Sequence, residues 1–377
     1  MSRIDERAER WAATMSGHVV GEGVDAIHFA HADSWAGSGS RLLVSREARE
    51  ERQAATQATL ATKAFGGGQR AIEEAPDEWR TCFERDRDRI LHATSFRRLA
   101  GKTQVFVFPD DHQRTRLTHA LEVAQVATSV ARALGLNVAL TEAIALGHDC
   151  GHGPGGHASE DALSPFVPGG FDHALWGANV TLVGLNLCEE TLDGIRNHSW
   201  SRPAPATPEG EVVSWADRIA YVCHDFEDAV ATGVVAADSL PATVRDRCGI
   251  ERREQLGAFI YGMIDAAKAS NRIGMTEAQA EALAQFRKFN YEHIYLRPES
   301  VTQANSVIAL LRALVEHYAK HPALLPSGQD HAPSSADALH AAVTYVGGMT
   351  DRFACRQGIA LLDWPLDQLP RGIDTPL

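Results

Sequence analysis

The feature that most constrains the fold is a three- and four-residue spacing of apolar side chains between residues 115 and 134. This segment, TRLTHALEVAQVATSVARAL, is typical of a helix with one apolar side. The positions that carry the pattern are Leu117, Leu121, Ala124, Ala127 and Ala131. Gly135 follows directly and can end the helix, because glycine readily adopts the left-handed backbone of a helix C-terminus.

Helical spacing recurs along most of the chain. Further helices are predicted at residues 46–64, 85–99, 141–149, 181–198, 212–230, 252–269, 276–291 and 301–320. Thr141 can cap the helix that it opens. Only residues 105–108 have a pattern compatible with a strand, and there is no internal repeat. The sequence therefore predicts an all-α fold.

Three regions are predicted. Residues 1–84 form a polar, partly helical N-terminal extension, and the glycines at 66–68 are a connector because no G-K-[ST] motif follows them. Residues 85–320 form the helical catalytic domain. Residues 321–377 form a C-terminal loop and a short helical segment that packs on this domain.

Composition excludes several classes of protein. The chain has 377 residues, no apolar run long enough to span a bilayer and no secretory signal at its start, so we expect a cytoplasmic protein without membrane contact. Its six cysteines are scattered, which argues against a zinc ribbon or a disulfide framework. The net charge of −13 disfavours a long nucleic-acid-binding track.

The densest group of chemically active side chains lies in residues 148–160, HDCGHGPGGHASE. Its adjacent histidine and aspartate can offer a nitrogen and an oxygen to one metal ion. The pair alone is not diagnostic, since residues 224–225 repeat it. A third ligand must come from another helix, and His119, two residues before the predicted core position Leu121, is the candidate. Asp217 is a candidate second carboxylate.

Several short segments occur in a specific order and spacing between residues 85 and about 230. They are FRRL at 96–99, KTQVF at 102–106, RTRLTH at 114–119, EV at 122–123, HD at 148–149, GH at 151–152, GH at 156–157 with Glu160, NHS at 197–199 and DRIAY at 217–221. In this arrangement the chain resembles the deoxynucleoside triphosphate triphosphohydrolase family, the bacterial dGTPase-like branch of the HD superfamily. The resemblance implies an HD-domain helical bundle with extra helices around a central metal site.

The resemblance also implies a reaction and roles for individual residues. The implied metal ligands are His119, His148, Asp149 and Asp217, with Mn²⁺, Mg²⁺, Co²⁺, Fe²⁺ or Ni²⁺ as the divalent ion. The implied reaction is hydrolysis of a dGTP-like deoxynucleoside triphosphate to deoxynucleoside and inorganic triphosphate. His157 and Glu160, three residues apart, form the implied acid–base pair, and His152 would be a further donor near the phosphates.

Substrate-binding residues are implied in the same way. Arginine binds phosphate oxygens with two N–H groups. The implied phosphate-binding residues are Arg97, Arg116 and Arg218. Tyr221 and Asp225 follow Asp217 at four-residue steps and so share one helical stripe with it. Tyr221 would lie against the deoxyribose, where its ring crowds a 2′-hydroxyl, while Asp225 and Gln104 would bind the 3′-hydroxyl.

One loop departs from the family pattern. Family members commonly carry Pro-Pro-Phe or a similar sequence between two Gly-His pairs, and this chain has Gly153-Pro154-Gly155. Two glycines are expected to leave the loop less constrained. We therefore expect an effect on substrate choice rather than on chemistry.

Two other functions stay open. One is an HD phosphohydrolase that acts on another nucleotide phosphate ester, and the other is a deoxynucleotide-binding regulator without catalysis. The complete ligand set and the His157–Glu160 pair favour an enzyme. The resemblance further implies a homo-oligomer, commonly a hexamer, with nucleic acid only as an effector.

Overall fold

A computed structural model of the chain describes residues 3–13, 15, 17–20, 27–35, 37, 39, 43–109, 112–327 and 330–371. These residues contain sixteen α-helices and one two-stranded sheet. The prediction of an all-α fold is confirmed. The chain divides into two compact units, residues 1–45 and residues 46–377.

The first unit contains one helix and one hairpin. Helix α1 (Arg3–Ala13) has no buried residue. Strands β1 (His18–Val20) and β2 (Ile27–Phe29) pair antiparallel, with Val19 opposite His28.

The second unit holds the other helices, and some of the loops that join them contain a short 3₁₀ or π turn. They are α2 (Arg46–Thr56), α3 (Cys82–His92), α4 (Thr94–Arg98), α5 (Arg116–Leu134), α6 (Val138–Gly147), α7 (Ala158–Leu163), α8 (His173–Trp176), α9 (Glu189–Asn197), α10 (Pro208–Ala231), α11 (Ala242–Cys248), α12 (Arg252–Ser270), α13 (Glu277–Asn290), α14 (Pro298–Lys320), α15 (Ala336–Gly347) and α16 (Asp351–Leu362). Within the described ranges, no helix has both the length and the apolar character needed to cross a membrane.

Helix α6 lies at the centre of the main core. It is apolar on nearly all sides, which is typical of a fully buried helix. It packs against α3, α5 and α10. Its side chains Leu140 and Ile144 are completely buried, and burial of each contributes about 1.5–3 kcal/mol. Because α6 ends at Gly147, His148 and Asp149 emerge in the middle of the protein.

Helix α5 has the predicted end at Gly135, whose φ of 68° is left-handed and whose N–H donates to the carbonyl of Ala131. The predicted core positions Ala124, Ala127 and Ala131 are buried, but Leu121 is 48% exposed and does not lie in the core. The buried side includes Arg116 and His119 together with several alanines and valines. Small residues surround most of this helix, so their spacing alone did not identify the side that is buried.

Helix α6 begins earlier than predicted. Asn137 caps it, with its side chain accepting a hydrogen bond from the N–H of Leu140. Thr141, the predicted cap, lies inside the helix and donates its hydroxyl to the carbonyl of Asn137. Both residue types cap helices, and Asn137 fills this position because its own N–H is bound by the Glu209 carboxylate.

Residues 46–84, which sequence analysis assigned to the N-terminal extension, are part of the second unit. The N–H and hydroxyl of Thr62 both donate to the carboxylate of Glu209, at 3.1 and 2.7 Å. The helix predicted at 46–64 stops at Thr56. The N–H of Ala58 donates instead to the carbonyl of Gly135, which fastens this segment to the end of α5.

A second core surrounds α14. This helix packs against α7, α15 and α16. Residues 321–377 thus contain two helices, where a loop and one short helical segment were expected. Residues 105–108 do not form the strand that their pattern allowed; in this part of the described chain, a single bridge pairs Thr103 with Thr115.

Replacement of Gly135 by alanine is expected to destabilise the protein by about 1–2 kcal/mol, because an L-residue is strained at φ 68°. Urea unfolding measures the change in the free energy of unfolding. The matched control is Gly184→Ala, since no atom lies within 4 Å of a Cβ at Gly184 and its φ is not left-handed. Equal stability of the two variants would contradict the assignment of Gly135 as an obligatory left-handed cap.

Candidate metal centre and active site

The four predicted metal ligands come from three helices and meet in one place. His119 lies on α5, His148 and Asp149 follow α6, and Asp217 lies on α10. Nε2 of His119 lies 3.0 Å from Oδ1 of Asp217 and 4.0 Å from Oδ2 of Asp149. Nε2 of His148 lies 3.5 Å from Oδ1 of Asp149 and 3.6 Å from Oδ1 of Asp217. Residues separated by up to 98 positions in sequence therefore converge.

Hydrogen bonds fix the orientation of two of these side chains. Nδ1 of His148 donates to the carbonyl of Ala145 at 2.7 Å, which leaves Nε2 as the nitrogen that can bind a metal ion in place of a proton. Oδ2 of Asp149 accepts from Nη1 of Arg116 at 2.8 Å. Both residues are thus held toward the common point.

The donor set fits a divalent cation. Nε2 of His148 is buried and has no hydrogen-bond partner, and a buried polar atom without a partner costs about 1–3 kcal/mol. Suitable ligand atoms of His119, His148 and Asp217 lie within 4.8 Å of one another, with Asp149 beside them. Two imidazoles and two carboxylates are ligands accepted by Mn²⁺, Fe²⁺, Co²⁺ and Ni²⁺.

The charges of the site favour cation binding. Burial opposes ionisation of Asp149, but Arg116, His148 and His152 hold the pKa of Asp149 well below its ordinary value. Burial likewise opposes ionisation of Asp217, but its hydrogen bond with His119 and the nearby charge of His148 hold its pKa well below the ordinary value. Both carboxylates are ionised at neutral pH. Burial lowers the pKa of His148, yet Asp149 and Asp217 outweigh burial and raise it to about 9.

Glu160, on α7, is the centre of an adjacent cluster. Its Oε1 accepts hydrogen bonds from Nδ1 of His173 at 2.6 Å and from the His173 N–H at 3.0 Å. Its Oε2 lies 3.4 Å from Nδ1 of His157. Burial opposes ionisation of Glu160, but the hydrogen bonds with the two histidines hold its pKa far below the ordinary value. One carboxylate therefore orients two imidazoles, and the side chain of His157 is 75% exposed.

His152 connects this cluster to the metal ligands. Its Nε2 lies 3.3 Å from Oδ1 of Asp149, and its ring stacks on that of His173 with centroids 3.7 Å apart. Nε2 of His173 in turn lies 3.2 Å from Nε2 of His198. Burial, followed by the charge of Arg116, holds the pKa of His152 well below the ordinary value. His152 is therefore neutral near pH 7.

Two of the arginines predicted to bind phosphate interact with other residues of the protein. Arg116 is buried in the ion pair with Asp149. Arg97 is exposed and donates to the carbonyl of His92 and the hydroxyl of Thr94. None of the hydrogen bonds described for Arg97 reaches another predicted site residue.

Three of the remaining predicted substrate residues, Arg218, Tyr221 and Asp225, lie on α10. The Arg218 guanidinium lies 3.6 Å above the ring of Trp200, and burial lowers its pKa. The Tyr221 hydroxyl accepts a hydrogen bond from Nε of Arg287 at 2.7 Å. The guanidinium of Arg218 therefore lies against the segment after α9, and the hydroxyl of Tyr221 lies against α13.

Asp225 and Gln104 each have an oxygen without a partner. Oδ2 of Asp225 accepts from the Tyr295 hydroxyl at 2.6 Å, while Oδ1 is buried and unpartnered. Burial raises the pKa of Asp225 to about 8. Oε1 of Gln104 is also buried and unpartnered. Both oxygens can accept a hydrogen bond from a ligand.

Four residues of this region have no role predicted from the sequence. They are His173, His198, Arg287 and Tyr295. His198 lies in the matched NHS segment, which was the only signal for it. Arg287 and Tyr295 stand eight residues apart, about two helical turns, so they share a side of the chain. His173 belongs to none of the motifs recognised in the sequence.

Comparison with known proteins agrees with this geometry. Residues 116–222 match the HD domain family, and residues 273–358 match the phosphohydrolase-associated domain. The first match runs from α5 to α10 and includes all four predicted metal ligands. The second match begins before α13 and ends within α16.

Curated relatives resemble most of the chain. A deoxyguanosinetriphosphate triphosphohydrolase-like protein of Clostridium perfringens (strain 13 / Type A) is 40% identical over 307 residues, covering 77% of this chain and 89% of the relative. One of the same name from Caldanaerobacter subterraneus subsp. tengcongensis is 38% identical over 316 residues, covering 82% and 93%. A solved hypothetical protein from Aquifex aeolicus has a TM-score of 0.44 and 18% identity over 72% of this chain and 67% of that chain, too low to argue from.

Proposed function

Because this chain belongs to the deoxyguanosinetriphosphate triphosphohydrolase-like family of HD-domain phosphohydrolases, we propose that it converts deoxynucleoside triphosphates to deoxynucleoside and inorganic triphosphate. The observation that carries the proposal is the convergence of His119, His148, Asp149 and Asp217 around one point. A divalent ion bound there would polarise a phosphoryl oxygen and lower the pKa of a water molecule.

The second cluster supplies proton transfer. Nδ1 of His157 faces the ionised carboxylate of Glu160, so Nε2 of His157 is free to exchange a proton with a water or a leaving 5′-oxygen. Glu160 stays ionised because both His157 and His173 bind it. The exposed position of the His157 ring allows it to meet a substrate that arrives from solvent.

Arg218 and Arg287 are the best-placed cations for the triphosphate. Their described contacts are to aromatic rings and a phenol: Arg218 to Trp200, and Arg287 to Tyr221 and Tyr291. Guanidinium groups that are not neutralised by carboxylates can bind phosphate oxygens with two N–H groups. Arg218 is also the neighbour in sequence of Asp217, so it lies at the edge of the metal centre.

The sugar would lie along the side of α10 that carries Tyr221 and Asp225. The unpartnered Oδ1 of Asp225 and Oε1 of Gln104 are acceptors for a 3′-hydroxyl. The Tyr221 ring, held by Arg287, would lie against the ribose and crowd a 2′-hydroxyl. The hexamer and a nucleic-acid effector stay predictions from the resemblance.

A screen of metals against nucleotides tests the proposal. The protein is incubated with each of the four deoxynucleoside triphosphates and with Mn²⁺, Mg²⁺, Co²⁺, Fe²⁺ or Ni²⁺, and the products are separated by chromatography. Equal amounts of deoxynucleoside and inorganic triphosphate are expected. Release of orthophosphate or pyrophosphate would indicate another phosphohydrolase reaction, and tight binding without products would indicate a regulator.

Replacement of Arg287 by alanine is expected to raise KM about 10- to 100-fold, since a hydrogen bond to a charged group contributes about 1.5–3 kcal/mol. Steady-state kinetics with the preferred nucleotide measures the change. Lys288→Ala is the comparison, because Lys288 is the next residue on α13 and its side chain is 75% exposed. A KM that changes equally in both variants would remove Arg287 from the substrate site.

A further inference from the structure

The loop at residues 153–155, whose sequence departs from the family pattern, is not loose. Gly153, Gly155 and the residues between and beside them are buried. The N–H of Gly153 donates to the Ser159 hydroxyl at 3.0 Å, and that hydroxyl donates to the carbonyl of Gly156 at 2.6 Å. The expectation that two glycines leave the loop less constrained is therefore wrong. The strongest restraint comes from far along the chain, from Asp351.

Asp351 is the first residue of α16 and is 6% exposed. Its Oδ1 accepts a hydrogen bond from the N–H of Gly155 at 2.8 Å. Its Oδ2 accepts from both the N–H and the hydroxyl of Thr103, at 2.8 and 2.6 Å. One carboxylate therefore joins two catalytic-domain segments that lie 196 and 248 residues away in sequence.

Each of these segments leads directly to a residue of the proposed active site. Gly155 precedes His157 by two residues, and Thr103 precedes Gln104. Thr103 also forms a bridge with Thr115, the residue that caps α5. Movement of either segment would displace a side chain that faces the substrate.

Contacts of Lys102 and of Gly155 hold the same two segments in place. The buried ammonium group of Lys102 donates to the carbonyls of His152 and Gly347, and the second bond is 3.0 Å long. Gly155 has a φ of +74°, and a Cβ there would lie 2.5 Å from Cγ1 of Val307. The loop thus has no room on its outer side and is bound from within the phosphohydrolase-associated region, residues 273–358.

We propose that Asp351 is a positioning residue that holds the His157 loop and the Gln104 segment in place for catalysis, without contact with substrate or metal. This proposal rests on the proposed function. It assigns to the C-terminal helices a role in turnover, since misplacement of a reacting group by about 1 Å can cost about 10²-fold in rate.

The test compares Asp351→Asn with Asp86→Asn. Asp86 is also buried and also accepts from one backbone N–H, that of Cys188, and one threonine hydroxyl, that of Thr191. In addition, it forms a buried ion pair with Arg70 at 2.7 Å. Two readouts are used: kcat of the metal-loaded full chain, and hydrogen–deuterium exchange of peptides that cover residues 150–158 and 186–192. Metal content and urea unfolding are measured in parallel.

Asp351→Asn is expected to lower kcat about 10- to 100-fold, to leave bound metal unchanged and to speed exchange in residues 150–158. Asp86→Asn is expected to lose at least as much stability, because it also neutralises the partner of the buried Arg70. It should nevertheless keep kcat within about threefold and speed exchange in residues 186–192 instead. Thr103→Val, which removes only one of the three hydrogen bonds, should show a smaller loss of kcat, and Thr103→Ser should restore it. These milder variants decide the question if Asp351→Asn does not fold.

The proposal is overturned if exchange in residues 150–158 is unchanged, or if kcat falls no further in Asp351→Asn than in Asp86→Asn. Failure of the proposed function gives a different result. In that case the wild-type protein releases no triphosphate with any metal, while the exchange of residues 150–158 still shows whether Asp351 holds the loop.

Discussion

Replacement of His148 by alanine is expected to remove the bound divalent ion and to lower turnover by about 10⁴-fold or more. The imidazole is completely buried, and its Nε2 has no hydrogen-bond partner among the described residues. Metal polarisation of the phosphoryl group contributes several kcal/mol to catalysis, and each 1.36 kcal/mol corresponds to a factor of ten. Metal content by mass spectrometry and product formation by chromatography measure the two effects.

His148 is a cleaner target than its neighbour Asp149. Asp149→Ala should also lose the metal and activity, but it leaves the buried guanidinium of Arg116 without its partner. A buried charge that loses its partner costs about 3–5 kcal/mol, so that variant loses stability as well. In His148→Ala, Asp149 keeps its ion pair with Arg116, and Asp217 keeps its contact with His119.

Helicity must be retained for this result to be informative. Circular dichroism of His148→Ala should match the wild type, because α6 is held by apolar packing along its whole length. His317→Ala serves as the control, since His317 is a partly buried histidine on α14 in the second core. It should keep both metal and activity. A His148→Ala protein that retained full activity would end the metal assignment.

The sequence allowed a good prediction of the C-terminal end of α5. The helical spacing and the glycine after residue 134 gave the correct end of α5, since a C-terminal cap depends on one residue. The side of α5 that is buried was not predictable in the same way. Alanines and valines occur around most of this helix, and the choice between Leu121 and His119 as the inward residue depends on packing against α6 and α10.

The four converging side chains were predicted from short motifs, whereas their surroundings were not. His173 binds Glu160 from 13 residues away with no motif around it. Arg287 reaches Tyr221 across 66 residues, and Asp351 reaches Gly155 across 196. Such contacts depend on how whole helices pack, which spacing along one helix does not describe. For this reason the loop at residues 153–155 was expected to be loose, although the hydrogen bond with Asp351 holds it in place.

Replacement of His157 by alanine is expected to leave bound metal unchanged and to lower kcat about 10²- to 10⁴-fold, the range of general acid–base catalysis. Metal content and kcat are expected to respond differently because His157 is not one of the four converging side chains. Its side chain is also 75% exposed. Its removal creates no buried cavity, so the free energy of unfolding should change little. Kinetics, metal content and urea unfolding of the same preparation measure all three quantities.

The exposure of His157 also provides a stricter test, which is rescue by added imidazole. A small base can enter the space that the missing ring leaves, next to the carboxylate of Glu160, and so should restore part of kcat in His157→Ala. It should have no effect on His148→Ala, where the metal is absent and the site is buried. His321→Ala, at another exposed histidine, should keep wild-type kcat. An unchanged rate in His157→Ala would transfer the proton-transfer role to His152 or His173, which stack on each other beside the same carboxylate.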